Sequence, residues 1–388
     1  MRGPIVNAPP FQSISDLDIA RFAALCSRQT DLADYPSADS VAHNAVLYPC
    51  DALLAADPSV VKAELNRCLK DGPGLLVVQQ AFPDAAALDR HTALFAEIAA
   101  EEKVAADHRG DHFAQPGANE RVWNSIQKVC AKDPGLCIDY YSNPVLALVS
   151  AAWLGPHYQI TAQVNTVKPS AAAQSPHRDY HLGFQDDDLV AQFPLHLQGA
   201  SQFLTLQGAI AHTDMPLETG PTLYLPYSQL YPLGYLAWRH PDFKSYFHQH
   251  AVQLPLQKGD AVFLSPALFH AAGANTTADR DRVANLVQIS ASFGKTMETI
   301  DHDAMLRSVY PVLLDRAAAR IIDDAKLQRA ATAFADNYAF PTNLDRDPPI
   351  DGAAPATSRD LLLQALAARW SAEKFNQALA EYAERRRA

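Results

Sequence analysis

Apolar positions recur along this chain at two different periods, and the change between them divides it. From Ser15 to Gln29 the spacing of Leu17, Ile19, Phe22, Leu25 and Cys26 is helical, with Ser15 and Asp18 placed as a capping box. The proline-bearing stretch from Thr30 to Leu54 is poorly periodic and is expected to be a connector or covering loop. Residues 58 to 106 read as a helix, a short strand in GLLVVQQ (74–80) and a second helix. From about residue 158 the texture becomes that of strands: YQITAQVNTV, QFLTLQGAIAHT, PTLYLPYS, AVQLPL, DAVFLSP and RVANLVQISASF. Turn signals at Gly183, TGP (219–221), KGD (258–260) and GANTTADRD (273–281) separate them. Strands at this spacing without intervening helices predict a sandwich or jelly roll. Beyond residue 300 the helical period returns, and a Pro-, Asp- and Ala-rich loop (341–357) precedes a final helix pair marked by Leu362, Leu366, Trp370, Leu379 and Tyr382. The expected organisation is mainly β with flanking helices: an N-terminal extension (1–57), a central domain (58–299) with its core at about 158–295, and a C-terminal helical extension (300–388). No internal repeat is visible.

Composition narrows the partners. The 388 residues are 48% hydrophobic and 19% charged, with a net charge of −11, which gives no overall attraction to nucleic acid or to an anionic membrane surface. No apolar run approaches the ~18 residues of a membrane span, and the opening MRGPIVNAPPFQSISDL has no signal-like apolar core. Five cysteines, none in a CxxC pair, fit reduced thiols and a cytoplasmic location. The expected partner is a small molecule, while the sequence leaves the oligomeric state open. The RGD triplet at 109–111 carries no weight in a chain without an export signal.

The chemistry concentrates in SPHRDYHLGF (175–184). On extended backbone His177 and Asp179 project from the same face, as two adjacent ligands of one metal do. His270, ending GDAVFLSPALFH, is the best candidate for a third ligand; a two-histidine, one-carboxylate face suits Fe(II) and leaves positions open for a chelating co-substrate and dioxygen. A dicarboxylate such as 2-oxoglutarate must also bury its far carboxylate, which is costly unless a guanidinium meets it in a two-pronged contact. Arg282, directly before the strand VANLVQISAS, is better placed for this than Arg280 in the preceding loop. His181, two residues after Asp179, is a candidate for a contact in the same cavity or a structural residue, and Tyr180, Phe184, Phe193 and Tyr224 are candidate pocket residues as well as candidate core. His196, His212, His240, His248 and His250 have no partner spacing that recommends them.

The order HxD, ETGPTLYLPYS (218–228), GDAVFLSPALFHAAGAN (259–275) and an arginine opening a strand resembles the phytanoyl-CoA dioxygenase family of iron- and 2-oxoglutarate-dependent oxygenases. The lead-in CLKDGPGLLVVQQAFPD (68–84) and the segment 143–170 look like its opening portions, so the likeness spans about residues 60 to 295. It implies a double-stranded β-helix (cupin-like jelly roll), iron held by His177, Asp179 and His270, and 2-oxoglutarate held at its distal end by Arg282. Thr166, Asn165 and Arg121 are candidates for further polar contacts, with Thr166 proposed for the co-substrate. Retention of Asp179 implies hydroxylation with dioxygen rather than halogenation. Two departures bear on the co-substrate pocket: PYSQ (226–229) stands where PGSH is usual, and Ala272 where a small hydroxyl residue is common. A cupin-like metalloenzyme that does not use 2-oxoglutarate and a non-catalytic jelly-roll binding module remain as alternatives. Substrate choice is expected to reside in 183–200 and 229–250.

Overall fold

The computed structural model describes residues 9–104, 119–349 and 352–387, and the RGD triplet lies outside them. Eleven strands are present among the described residues: β1 Ser40–Ala42, β2 Ala45–Pro49, β3 Leu75–Gln79, β4 Asn119–Val122, β5 Tyr158–Val167, β6 Thr205–Ala211, β7 Leu223–Leu225, β8 Val252–Gln253, β9 Ala261–Leu264, β10 Phe269–Ala271 and β11 Arg282–Ala291. Eight form one sheet in the order β1-β2-β3-β9-β6-β11-β5-β4, and three form a second in the order β10-β7-β8. Neighbours are antiparallel except β2 beside β3, so the large sheet is mixed.

Alternation along the central strands gives the large sheet two unlike faces. Ile160, Ala162 and Val164 on β5, Leu206 and Ile210 on β6, Phe263 on β9, and Val287 and Ile289 on β11 join the main apolar core. Helices Pro58–Lys70, Pro144–Leu154, His302–Ala318 and Asp324–Phe334 contribute to that core from the other side. The intervening residues Gln163, Asn165, Gln207, Ala209, Leu286 and Gln288 line a cavity between the two sheets. A sheet this wide exposes more apolar surface than loops can cover, and helices cover it. Helix accordingly makes up about 47% of the structure, which corrects the expectation of a mainly β chain.

Three local expectations also change. The stretch 30–54 forms the hairpin β1–β2 and a short helix, Cys50–Ala55, and β2 extends the large sheet. Strands this short give too few positions for a period to show. The capping box lies two residues earlier than expected, on Ser13 and Asp16, and Asp18 instead caps the helix Ile19–Cys26 by accepting from the Arg21 amide. That helix seats Phe22 among the rings of Tyr231, Phe243, Tyr246 and Phe269 at centroid distances of 4.9–5.6 Å. No helix among the described residues is long and apolar enough to cross a membrane.

The core contains two buried histidines. His91 stacks on Tyr140 at 4.2 Å, and neither of its ring nitrogens has a hydrogen-bond partner among the described residues. His212 lies between the Thr92 and Tyr140 hydroxyls, at 2.8 Å from each. Burial pushes both imidazoles down from 6.5 to about 3. The folded state therefore stays neutral at both sites where the unfolded chain takes up protons. This contribution to stability is complete above the unfolded value and is lost as pH falls from about 6.5 towards 3. The expected slope is about 1.4 kcal/mol per pH unit for each histidine. Urea unfolding at pH 7 and pH 5 should show this loss, and His91→Phe, which keeps the stacked ring, should remove about half of it.

Candidate metal centre

The HxD segment runs beside the strand that carries the distal histidine. His177 and His270 exchange both backbone hydrogen bonds, at 2.9 and 3.1 Å, and the Asp179 amide donates to Pro266 O at 2.9 Å. Two strands held in this register bring the three side chains together. The candidate donor atoms of His177, Asp179 and His270 all lie within 4.8 Å of one another. Asp179 Oδ1 is 3.8 Å from His177 Nε2, and its Oδ2 is 3.4 Å from His270 Nε2.

Backbone carbonyls set both imidazole tautomers. His177 Nδ1 lies 3.1 Å from Ser175 O and His270 Nδ1 2.8 Å from Leu268 O. A carbonyl only accepts, so each Nδ1 carries a proton and each Nε2 is the nitrogen turned to the centre, a lone pair when the ring is neutral. Burial pushes the Asp179 carboxyl up, but His177, His270 and the Gln207 amide outweigh it and hold the group well below the usual carboxylate range. Burial draws His270 down and Asp179 more than reverses this; in His177 the effect of burial prevails and the imidazole is lowered. The cluster is thus a carboxylate facing two imidazole Nε2 atoms, and a divalent cation in place of the His270 proton would find one anionic and two nitrogen donors.

Arg178, which sequence reasoning passed over, anchors the segment from the opposite face. Its side chain is fully buried, with Nε donating to Ala267 O at 2.6 Å and Nη2 to Gln229 O at 3.0 Å, and it lies over the Tyr235 ring at 4.5 Å. Burial lowers its pKa to about 10. Space for the guanidinium exists because residue 234 is glycine: a Cβ there would sit 1.9 Å from Arg178 Nη1. Gln207 was also missed. Its Nε2 donates to Asp179 Oδ2 and fixes the carboxylate's orientation. Both contacts join residues far apart in the chain, and no local pattern announces them.

Arg282 lines the same cavity with the side chain turned inward, 5% exposed. Its Nη1 is buried without a hydrogen-bond partner, and it makes no ion pair among the described residues; burial lowers its pKa to about 10. Arg280 sits in solvent, 3.7 Å from Glu218. The loop before them is tied down by Asn275, whose Nδ2 donates to Val167 O and Arg280 O. The TGP and AAGAN turns meet backbone to backbone. Gly220 has φ +69°, and a Cβ there would lie 2.3 Å from Ala274 O.

Asn165, Arg121 and Ala272 line the cavity, and so do Tyr180, Phe184 and Tyr224, for which the sequence left pocket and core both open. Arg121 donates to Gln163 Oε1 at 3.0 Å and lies over the Trp123 ring. Thr166 does not line it, which corrects the expectation of a co-substrate contact: its neighbours Asn165 and Val167 alternate with it along β5, and its side chain falls on the other face. His181 lies 3.5 Å from Thr205, and Phe193 packs on the apolar cluster around Phe22, both outside the cavity lining. Gln229, in the place of the usual histidine, donates to Gly72 O at 2.8 Å and packs against Gly74. The insertions at 183–200 and 229–250 contribute Gly183, Phe184 and Trp238 to the lining.

A cavity of this composition between two sheets belongs to the fold type of the iron- and 2-oxoglutarate-dependent oxygenases. The chain belongs to the phytanoyl-CoA dioxygenase (PhyH) family, whose profile matches residues 71–284. Among solved structures it is similar to the non-heme alpha-ketoglutarate-dependent epimerase SnoN from nogalamycin biosynthesis, with 19% identity, 61% of this chain and 82% of that chain covered, and a TM-score of 0.42. The carbocyclase SnoK from the same biosynthesis gives 19% identity, 61% and 87% coverage and a TM-score of 0.44. HygX from Streptomyces hygroscopicus, with nickel and 2-oxoglutarate bound, gives 13%, 60% and 88%, and 0.37. No curated protein matches the chain.

Proposed function

We propose that the chain is an Fe(II)- and 2-oxoglutarate-dependent dioxygenase that hydroxylates a C–H bond of a small or medium-sized organic molecule, releasing succinate and CO2. The observation that carries this reading is the pairing, in one cavity, of three converging donor atoms with a buried guanidinium whose Nη1 lacks a partner. A buried cation without a counter-charge is costly, and a dicarboxylate chelating a metal beside it removes that cost. The two sheets are read as a double-stranded β-helix with the centre between them.

In this reading His177, Asp179 and His270 hold the iron, and Arg282 takes the distal carboxylate of 2-oxoglutarate. Iron and the keto acid together supply the activation of dioxygen and the oxidising power. The protein's own residues do the rest. Ser175 and Leu268 carbonyls hold both Nδ1 atoms and so turn both Nε2 atoms to the metal position, Gln207 holds the carboxylate in one orientation, and Arg178 fixes the segment on which both ligands ride. Asp179 occupies the ligand position that halide-transferring relatives vacate, which favours hydroxylation.

Anaerobic addition of Fe(II) and then 2-oxoglutarate to the metal-free protein should produce the visible charge-transfer band of an iron-chelated keto acid. The band should be saturable in 2-oxoglutarate and missing from His270→Ala. Iron binding without a band would sink the 2-oxoglutarate half of the proposal and favour a cupin-like metalloenzyme.

A further inference from the structure

Beyond the iron ligands and Arg282, the cavity wall carries further buried polar atoms, among them acceptors that neither a metal nor 2-oxoglutarate can satisfy. The Gln207 amide is oriented by its partner: Asp179 only accepts, so Nε2 faces it and Oε1 is the free end. That oxygen is buried without a hydrogen-bond partner. The Gln163 amide is fixed the opposite way, because Arg121 only donates; its Oε1 is taken, and its Nε2 is turned to the Glu298 carboxyl without a well-formed hydrogen bond. Gln288 Oε1 is likewise unpartnered, and the Tyr180 hydroxyl faces the Gln207 amide without a well-formed hydrogen bond of its own.

These four side chains are neighbours. Gln288 is the cross-strand partner of Gln207, and Gln163 pairs with Leu286, two residues along β11. All four line the cavity and are between 1% and 7% exposed. Tyr180 is held there by strained backbone, at φ 53° and ψ 159°, where a side chain is rarely found. Fixed polar groups left bare in a buried wall are costly unless a ligand meets them.

A 2-oxoglutarate dianion only accepts hydrogen bonds, so it cannot serve Gln207 Oε1. The group that does must bring an O–H or N–H to within one side chain of the iron ligand Asp179. A group that also meets the Gln163 donor and the Tyr180 hydroxyl must accept as well. A hydroxyl does both, and a carboxylate or an ammonium only one. Of the nearby charged groups, Arg178 is enclosed by backbone carbonyls and Tyr235, Arg121 is turned onto Gln163 and Trp123, and the Glu298 carboxyl, which burial pushes up towards its neutral form, lies beside Gln163. The cavity measures about 340 Å³, near the lower end for ligand sites, and opens past Phe184, which is 45% exposed.

Resting on the oxygenase reading above, we propose that the substrate is a neutral molecule bearing hydroxyl groups next to the carbon that is oxidised. Gln207, Gln163, Gln288 and Tyr180 grip those hydroxyls, and any larger remainder leads out past Phe184. This wall is poorly suited to an acyl chain at the metal.

The test uses the anaerobic Fe(II)·2-oxoglutarate protein and three ring probes of similar size: trans-1,2-cyclohexanediol, cyclohexanecarboxylate and cyclohexylammonium, with hexanoyl-CoA as a fourth. The readout is the shift of the charge-transfer band as each probe is added. The diol is expected to half-saturate at a concentration about tenfold lower than the carboxylate, the amine or the thioester, as two extra neutral hydrogen bonds allow. In Tyr180→Phe, or in Gln288→Leu should the first variant not fold, that preference should shrink to about twofold. Equal or tighter binding of the carboxylate, amine or thioester would overturn the proposal. So would no preference among the probes, the result expected if water alone fills the polar wall. The band itself, recorded before any probe is added, reports separately on the oxygenase reading.

Discussion

Replacing Arg282 by methionine is expected to raise the 2-oxoglutarate concentration needed for half-saturation of the iron band by about a hundredfold or more. Breaking a buried guanidinium–carboxylate pair costs about 3–5 kcal/mol, and a decade costs about 1.4. The same change should leave the ligand-free protein as stable as before or more stable, because it removes a buried cation with an unpartnered Nη1 and fills the space with an apolar side chain of comparable length. A fall in stability together with a normal 2-oxoglutarate titration would mean that Arg282 serves the fold and not the co-substrate. Arg282→Lys keeps the charge but loses the two-pronged geometry, and an intermediate affinity is expected.

The second large effect is expected from Asp179→Ala. Without the carboxylate, two imidazoles remain, and the only anionic donor of the set is gone. Iron affinity should fall by at least about a hundredfold, since even outer contacts of metal ligands are worth ten- to a hundredfold. Isothermal titration with Fe(II) under anaerobic conditions measures this directly. Gln207→Leu should give a smaller loss, about tenfold, because it frees the carboxylate to turn without removing it. Undiminished iron binding by the Asp179→Ala protein would show that the three donors do not form the centre.

The parts of this molecule that could be read from sequence are those with a local period. The runs at 158–167, 205–211, 261–264 and 282–291 announce themselves as strands because β-formers cluster between turn residues. HxD was legible for a related reason, since a spacing of two on extended backbone puts both side chains on one face. The same rule excludes Thr166, which lies one residue from the inward-facing Asn165. Choosing Arg282 over Arg280 followed from where the strand opens, and the structure separates them into a buried cavity residue and a solvent-exposed partner of Glu218.

What escaped the sequence depends on contacts across the chain. Arg178 looks like a spacer between two ligands until Ala267 and Gln229 are folded around it. The opposed orientations of the Gln163 and Gln207 amides exist only because Arg121 and Asp179 arrive from other segments. The helix share was underestimated because the need to cover a wide sheet is a property of the assembled layers, and no single window of residues carries it. The hairpin at 40–49 was missed for want of length.

The main-chain exchange between residues 177 and 270 reaches beyond the iron reading. Two positions locked as a hydrogen-bonded pair on antiparallel segments keep their Cβ atoms converging whatever side chains they carry. The direction of both side chains is therefore written into the backbone, and their length decides where the donors meet. Cysteine at either position would keep the direction and lose the reach, since its sulfur stands one bond from Cβ where the imidazole Nε2 stands three. Retuning this scaffold towards a different element thus turns on side-chain length, with the backbone pair left as it is.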